Sequence, residues 1–302
     1  MEAKAISRLN AFLMLMLILF WGSSFVVVKI ALMEGLTPIA IATFRFLVAG
    51  GLFFVAILLE RKRVKCYVLF VEKKDFPTLI LLALTGVTFF FTAQYTGIKM
   101  AGASIAAIFV CLLAPVFITV FSAKLLRECL VRRQFFGVGI AAAGTFIVIM
   151  GGSISFQANN QFLLGSLILL STPFLWTAFS LLGKSVMGKY SPFLVVAYVN
   201  MLGGLLLIPF SLAEGSFIQI FALSFNGWLT ILFLAVTCSF LGYYIWFYVI
   251  KRVGAAVASS FMFAEPLITA LFAVVFVEEK LSIYTITGGF LIFIGVYLVT
   301  RK

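Results

Sequence analysis

Ten apolar runs follow one another along this chain, with only short polar stretches between them. A run of about 18 or more apolar residues crosses a bilayer as an α-helix, because a helix satisfies its own backbone N–H and C=O groups where water is absent. The predicted helices cover residues 11–33, 38–59, 76–95, 101–121, 135–150, 164–183, 192–212, 228–250, 255–277 and 284–300. We therefore expect an all-α integral membrane protein of ten transmembrane helices.

The composition of the chain excludes a soluble fold. The 302 residues are 64% hydrophobic and 11% charged, whereas soluble domains are about 45–50% apolar and about 25% charged. The N-terminus resembles a signal peptide, because Lys4 and Arg8 precede an apolar stretch, but that stretch exceeds the roughly 7–15 residues typical of such peptides. We therefore assign it to the first membrane helix.

The basic residues indicate how the chain is oriented. They produce a net charge of +12, but they lie in short clusters between apolar runs rather than along one face, which favours a topological role over nucleic-acid binding. With a cytoplasmic N-terminus, eighteen of the 22 basic residues fall inside, and only Lys29, Lys99 and Lys280 fall outside. Arg45 remains within the second run. This asymmetry predicts cytoplasmic N- and C-termini in the inner or plasma membrane.

Several classes of site are disfavoured by residues that the chain lacks. It contains no histidine, and its four cysteines (Cys66, Cys111, Cys129 and Cys238) have no CxxC spacing. It also contains no GxxxxGK[ST] phosphate loop. We therefore expect no metal site, no cofactor, no enzyme activity and no ATP-driven pumping.

The two halves of the chain repeat each other. Shifting the sequence by 151 positions superposes Pro115, Glu128, Leu130, Gly137 and Gly144 on Pro266, Glu279, Leu281, Gly288 and Gly295. A shift of 155 superposes Trp21 on Trp176 and Lys29 on Lys184. The chain thus divides into five-helix units at residues 11–150 and 164–300. Because five is odd, the units are expected to be inverted relative to each other, as in carriers that bind solute near the membrane midplane.

The motifs in these units resemble those of the EamA family of the drug/metabolite transporter superfamily over nearly the full chain. They are Trp21-Gly22-Ser23-Ser24, Phe44-Arg45-Phe46 and, in each half, a helix that contains a proline and is followed by Glu-x-Leu and then Gly-x6-Gly. One departure is Arg127-Glu128, where the family commonly has Gly-Glu. The resemblance implies ten helices, cytoplasmic termini and transport, more often export, of amino acids, related metabolites or toxic compounds.

Glu265 is the most informative single residue, because it lies midway along its apolar run and precedes Pro266. A carboxylate at this depth costs about 2.5–3.5 kcal/mol on insertion scales, so it is expected to face a cavity or a partner. Pro266 also leaves the carbonyl of Met262 without its usual helical partner. Glu265 therefore fits either a proton-coupling or substrate-amine-binding role, or a structural role in helix packing.

Arg45 is the second charge inside an apolar run, seven residues after Pro38 and so about 10 Å into the membrane. It is a candidate ligand for a substrate carboxylate. Internal pairing or extension towards the lipid headgroups is the alternative, and the family resemblance favours a structural role. Lys29 and Lys184 are expected to be interfacial anchors.

Further polar and aromatic residues belong to helices that line the cavity in the family: Trp21, Ser24, Gln94, Tyr95, Trp176, Ser180, Tyr243, Tyr244 and Trp246. Each also fits an interfacial belt or an interhelical hydrogen bond. The glycines Gly137, Gly144, Gly288 and Gly295 are expected to permit close helix packing. Glu128 and Glu279 are expected at loop and helix boundaries as solvated caps, with gating or loop bonding as the alternatives.

The sequence therefore predicts a secondary transporter that moves a small metabolite or amino acid by alternating access, with export as the favoured direction. Its partners are the small-molecule substrate and the lipid bilayer, with proton coupling by analogy, and its oligomeric state is open. Two alternatives remain. One is a lipid-linked carrier or flippase subunit, and the other is a non-transporting membrane receptor or scaffold.

Overall fold

A computed structural model describes residues 8–63, 71–114, 116, 117, 121, 132–155, 160–187, 189–253 and 264–300. Nearly all of these residues are helical, and no β-strand occurs among them. The prediction of an all-α protein is therefore confirmed for this part of the chain. Several residues on which the predictions rest lie outside it, namely Cys66, Pro115, Arg127, Glu128, Cys129, Leu130 and Met262.

The first half of the chain forms helices α1 to α6. They are α1 (Arg8–Met33), α2 (Pro38–Arg63), α3 (Phe76–Ala83), α4 (Phe89–Ala101), α5 (Ala103–Ala107) and α6 (Arg132–Ser155). A π-helical segment, Leu84–Thr88, joins α3 to α4, so the third apolar run is one continuous helix. It extends six residues beyond the predicted end at Tyr95 and stops where Gly102 takes a φ of 98°.

The second half forms helices α7 to α13. They are α7 (Asn160–Leu169), α8 (Ser171–Met187), α9 (Pro192–Ala213), α10 (Phe225–Phe233), α11 (Gly242–Val253), α12 (Glu265–Val277) and α13 (Ile283–Thr300). Another π-helical segment, Leu234–Leu241, joins α10 to α11. The described part of the ninth apolar run thus begins its α-helix at Glu265, with Pro266 in the first turn, where a missing N–H is tolerated.

Six described helical stretches are long and apolar enough to cross a membrane: Arg8–Met33, Pro38–Leu59, Lys73–Ala101, Asn160–Phe179, Phe193–Ala213 and Phe225–Trp246. Four shorter apolar helices accompany them: Ala103–Leu112, Phe135–Val148, Glu265–Val277 and Ile283–Leu298. Each stretch overlaps one of the predicted runs, although the boundaries differ by several residues.

Helices from the two halves pack against each other in pairs. The pairs are α2 with α9, α6 with α13, α1 with α12 and α4 with α7. Between α6 and α13, glycines face backbone atoms of the opposite helix. A Cβ on Gly144 would lie 2.7 Å from the carbonyl oxygen of Gly288, and a Cβ on Gly295 would lie 2.6 Å from that of Gly137. The expected close packing at these four glycines is confirmed.

Replacing Gly144 with leucine should therefore destabilise the protein. The added side chain has no space against α13, and overpacking of this kind costs about 1–3 kcal/mol. Gly139→Leu is the matched control, because Gly139 lies on the same helix and a Cβ there would have no neighbouring atom within 4 Å. Thermal unfolding in detergent measures both, and an equal melting temperature for the two variants would contradict this packing.

Glu279 links the second half to the start of a helix in the first half. Its two carboxylate oxygens accept hydrogen bonds from the backbone N–H groups of Ala103, at 3.0 Å, and Ser104, at 3.1 Å. A Cβ on Gly102 would lie 2.8 Å from the Glu279 Oε1 atom, so glycine is required both for its φ and for this contact. Glu279 therefore caps α5 rather than projecting into solvent, which corrects the expectation of a solvated cap.

The Glu279→Gln variant should lose about 1 kcal/mol of stability, because an amide accepts only one of the two N–H bonds and loses its favourable charge at a helix N-terminus. Glu278→Gln is the control, since Glu278 is exposed and adjacent in the chain. The melting temperatures of the two variants should differ by about 2 °C, and equal values would argue against the cap.

Other polar contacts also cross between the halves. Thr37 donates to Glu214 at 2.8 Å, and Ser224 donates to Glu34 at 2.7 Å, so the loop after α1 is tied to the segment between α9 and α10. A further contact joins the segment before α3 to the start of α9. There Lys189 pairs with Glu72 at 2.8 Å and with Asp75 at 2.6 Å.

This Lys189 contact is exposed, and it lowers the pKa of both carboxyls. For Glu72 and Asp75 the main cause is the hydrogen bond from Lys189, and Tyr190 adds a second bond to Asp75 at 2.7 Å. The same contact raises the pKa of the Lys189 ammonium. Since the carboxyl pKa values are lowered, any stabilisation from this network is present at neutral pH and is lost as the pH falls through those values.

Candidate functional site

Among the described residues, three apolar helices contain π-helical segments, at Leu84–Thr88, Ile108–Leu112 and Leu234–Leu241. The first and third occupy equivalent positions in the two halves, because the shift of about 152 residues that aligns these helices superposes them. A π-helical segment interrupts the regular i→i+4 ladder and is frequent at functional sites. These segments supply several polar groups to the interior of the bundle.

Arg45 on α2 is buried, with 3% of its surface exposed. Its Nε group donates to the Oγ atom of Ser239 at 2.7 Å, and its Nη1 group donates to the hydroxyl of Tyr95. The guanidinium carbon lies 5.1 Å from the ring centre of Phe46 and 4.8 Å from that of Phe91. Arg45 therefore points into the bundle, and the alternative of extension towards the lipid headgroups does not hold.

Trp21 on α1 contacts the same π-helical segment. Its indole Nε1 donates to the backbone carbonyl of Cys238 at 2.9 Å. Its ring lies 5.9 Å from that of Tyr243 and 5.7 Å from that of Trp246, measured between centres. Gly242 leaves room for the indole, since a Cβ there would lie 2.6 Å from the Trp21 Nε1 atom.

Glu265, at the start of α12, is also buried, with 3% of its surface exposed. Its Oε2 atom accepts a hydrogen bond from the Cys111 thiol at 3.2 Å, whereas its Oε1 atom is buried and has no partner in the described part of the chain. Gly22 brings α1 against this point, because a Cβ there would lie 3.2 Å from the Glu265 carbonyl oxygen. Thr269 fixes the contact by donating to the Gly22 carbonyl at 2.7 Å.

Ser239, the partner of Arg45, follows Cys238, whose thiol donates to the carbonyl of Phe20 on α1 at 3.2 Å. Two residues further along α1, Gly22 contacts the backbone of Glu265. The two buried charges therefore belong to one region of the interior. We call this region, formed by Arg45, Tyr95, Cys238, Ser239 and Glu265, the polar cluster. It is built from α2, α4, α12 and the π-helical segment Leu234–Leu241, and so it draws on both halves of the chain.

The other predicted site residues lie at varying distances from this cluster. Gln94 is buried beside Tyr95, and its Oε1 atom has no partner among the described residues. Ser24 donates to the backbone carbonyl of Trp21 at 2.6 Å, so its hydroxyl is used within α1. Trp176 packs on Phe90, with 5.3 Å between ring centres, in the position equivalent to Trp21.

Tyr243 and Tyr244 point in different directions, because successive residues on a helix are about 100° apart. Tyr243 is buried against Trp21, whereas Tyr244 is 52% exposed and its ring contacts Phe193 and Tyr248. The structure therefore does not bring Tyr244 to the polar cluster. The backbone of Ser180 lies within α8, but its side chain lies outside the described part of the structure.

Sequence reasoning did not single out Cys111, Cys238, Ser239 or Phe91 as site residues. Cys238 and Ser239 belong to the run Thr237-Cys238-Ser239, a cluster of small polar side chains inside an apolar helix, and this is the signal that points to them. Phe91 carries no such signal, since its role depends on lying over the Arg45 guanidinium. Among the described residues, no three His, Cys, Asp or Glu side chains gather as a metal site would require.

The EamA-like transporter family matches residues 8–150 and 163–301, which is nearly the whole chain and one copy in each half. The chain belongs to this family. It is therefore a multi-pass membrane protein of a transporter family, with the two-repeat architecture that the matched residues define.

Relatives of this EamA protein span almost its full length. Two uncharacterized transporters of Archaeoglobus fulgidus are 29% and 30% identical to it, over 96% and 94% of this chain and 96% and 95% of their own. A protein of Salmonella typhimurium named "Probable amino-acid metabolite efflux pump" is 27% identical over 97% of this chain and 95% of its own. A solved crystal structure with 18% identity shares the fold, with a TM-score of 0.62 over 98% of both chains.

The family signature Trp-Gly-Ser-Ser thus has a structural explanation in this EamA protein. Trp21 donates a hydrogen bond to the π-helical segment, Gly22 allows α12 to pack closely, and Ser24 donates to a carbonyl of its own helix.

The Trp21→Phe variant should lose about 0.5–1.5 kcal/mol of stability, because the Cys238 carbonyl loses its donor.

Trp228→Phe is the matched control for this substitution, since the Trp228 indole makes no hydrogen bond within the described residues. Both substitutions remove similar apolar area, so the difference between their melting temperatures reports the hydrogen bond. A loss of stability that is no greater for Trp21→Phe than for the control would mean that the bond contributes nothing.

Proposed function

We propose that this chain is a secondary transporter that moves a small metabolite or amino acid across the inner or plasma membrane by alternating access, with export as its direction. The observation that carries this proposal is the polar cluster. Arg45 and Glu265 are both buried in an apolar bundle, and neither is neutralised by an opposite charge among the described residues. Intramembrane charges of this kind mark substrate or ion pathways.

The proposed architecture is ten transmembrane helices in two inverted five-helix units, at residues 11–150 and 164–300, with both termini in the cytoplasm. The six long and four shorter apolar helices of the described structure are the candidates for these ten crossings. The pairing of α2 with α9 and of α6 with α13 is what a two-fold relation between the units requires. Alternating access then corresponds to a rocking of one unit against the other about the polar cluster.

The proposed cavity is lined by Trp21, Gln94, Tyr95, Tyr243 and Trp246 around the two charges, with Trp176 and Ser180 on the equivalent side of the second unit. Gln94 supports this assignment, because its buried Oε1 atom has no partner among the described residues. Ser24 and Tyr244 were also predicted to line the cavity, but their contacts support a structural role.

Within this proposal Glu265 is the coupling carboxylate. Its Oε1 atom has no partner among the described residues and is available to a proton or to a substrate amine, and the thiol on Oε2 is only a weak donor. The Salmonella relative named as an amino-acid metabolite efflux pump supports a substrate that carries an amine.

Counterflow in proteoliposomes tests the transport function. Vesicles loaded with a mixed pool of amino acids and related metabolites should exchange a labelled member of that pool at zero gradient. Exchange of one solute establishes a carrier and identifies its substrate class. If no pool member exchanges through folded protein, the transport proposal is wrong.

The Glu265→Gln variant tests coupling in the same vesicles. It should retain exchange at zero gradient but lose flux driven by a proton gradient, because glutamine cannot ionise. Glu278→Gln is the matched control, since that carboxylate is exposed and lies in the same segment of the chain. Undiminished proton-driven flux in Glu265→Gln would exclude this residue as the coupling group.

A further inference from the structure

The Arg45 guanidinium has no acidic partner among the described residues. Ten acidic residues occur in the sequence, and seven of them are described with their side chains. Three of these accept hydrogen bonds elsewhere: Glu34 from Ser224, Glu214 from Thr37, and Glu279 from the start of α5. A fourth, Glu278, is exposed. Glu72 and Asp75 pair with Lys189, and Glu265 accepts from Cys111.

The three remaining acids do not supply this partner in the described structure. Glu2 and Glu128 lie outside the described residues. Glu60 is on the same helix as Arg45 but fifteen residues away, which is about 22 Å along the helix axis. A full positive charge is thus held in an apolar interior without a counterion from the described chain, a state that costs several kcal/mol.

The groups that surround Arg45 orient it without neutralising it. Ser239 and Tyr95 are neutral hydroxyl acceptors, and they occupy two of the five N–H donors of the guanidinium. Phe46 and Phe91 lie near it as aromatic surfaces that attract the cation but carry no charge. Three N–H groups, on Nη1 and Nη2, therefore have no acceptor in the described part of the chain.

We propose that Arg45 is the anion receptor of the transport site and that the substrate is a solute with a single carboxylate. The inference rests on the proposed transport function and narrows its substrate class. Parallel N–H donors on Nη1 and Nη2 match the two oxygens of a carboxylate in a bidentate pair. Ser239 and Tyr95 are positioning residues, because they act by fixing the plane of the guanidinium.

A singly charged anion fits better than a phosphate ester. The described residues of the polar cluster include one cation, Arg45. A second negative charge on the solute would have no second cation in the cluster to offset it. The aromatic rings of Trp21, Tyr243 and Phe91 favour an apolar or aromatic body on the carboxylate.

Binding of four probes that share a phenyl ring tests this assignment: L-phenylalanine, L-phenylalaninamide, 3-phenylpropionate and 2-phenylethylamine. They separate the carboxylate from the amine while the apolar body stays the same. Tryptophan fluorescence of the purified protein in nanodiscs measures each affinity. The two carboxylates should bind the wild-type protein, and Arg45→Gln should weaken their binding by about tenfold or more, while the binding of the two probes without a carboxylate changes little.

The Ser239→Ala variant tests the same site in case the Arg45→Gln variant does not fold. It keeps the charge and removes one positioning bond, so it should weaken carboxylate binding several-fold and leave amide binding unchanged. Ser211→Ala is the matched control, because Ser211 is a buried serine that bonds to Ser216. A purely structural role for Ser239 would lower the affinity for all probes together and would not change the ratio of acid to amide.

The inference is overturned if no carboxylate probe binds, if acid and amide bind wild-type protein equally, or if Arg45→Gln weakens all four probes alike. The outcome is separable from that of the transport proposal. Counterflow of amines or neutral solutes alone would support the transport proposal and contradict the carboxylate substrate. Carboxylate-selective binding without any counterflow would support Arg45 as the anion receptor and contradict the transport proposal.

Discussion

The guanidinium of Arg45 is the buried cation that its neighbours from both halves of the protein contact. Hydrocarbon surroundings offer it no solvation, so every neighbour that approaches it must supply a lone pair or an aromatic face. Tyr95 comes from one half of the chain and Ser239 from the other, and both reach the guanidinium directly. The position of a single side chain thereby fixes how α2, α4 and the segment Leu234–Leu241 meet.

The helices can approach so closely because small residues stand where they cross. Gly22 allows α1 to reach the backbone of Glu265, and Gly144 allows α6 to reach that of Gly288. In a bilayer there is little hydrophobic gain from bringing two apolar helices together, so packing and interhelical hydrogen bonds must hold them. The bond from Thr269 to the Gly22 carbonyl illustrates this, since it can form only where no Cβ intervenes.

The sequence predicted the all-helical class, the family and the two buried charges, because apolar runs and isolated charges are visible residue by residue. The π-helical segments were not predicted, because an inserted residue in a helical turn depends on packing with other helices. The different faces of Tyr243 and Tyr244 were also not predicted, since helices that are apolar all round carry no periodic signal. The partner of Glu279 was missed because it lies in the other half of the chain.

That partner has a consequence for how the chain can be divided. The backbone N–H groups of Ala103 and Ser104 obtain their acceptor from Glu279, 176 and 175 residues later. In a first half synthesised alone, these two N–H groups at the start of α5 would therefore lack the Glu279 carboxylate as their acceptor, although all the apolar segments of that half would be present. The repeated units are duplicated in sequence, but the first does not satisfy all of its own backbone donors, and this helix obtains both of these bonds only after nearly the entire polypeptide has been inserted.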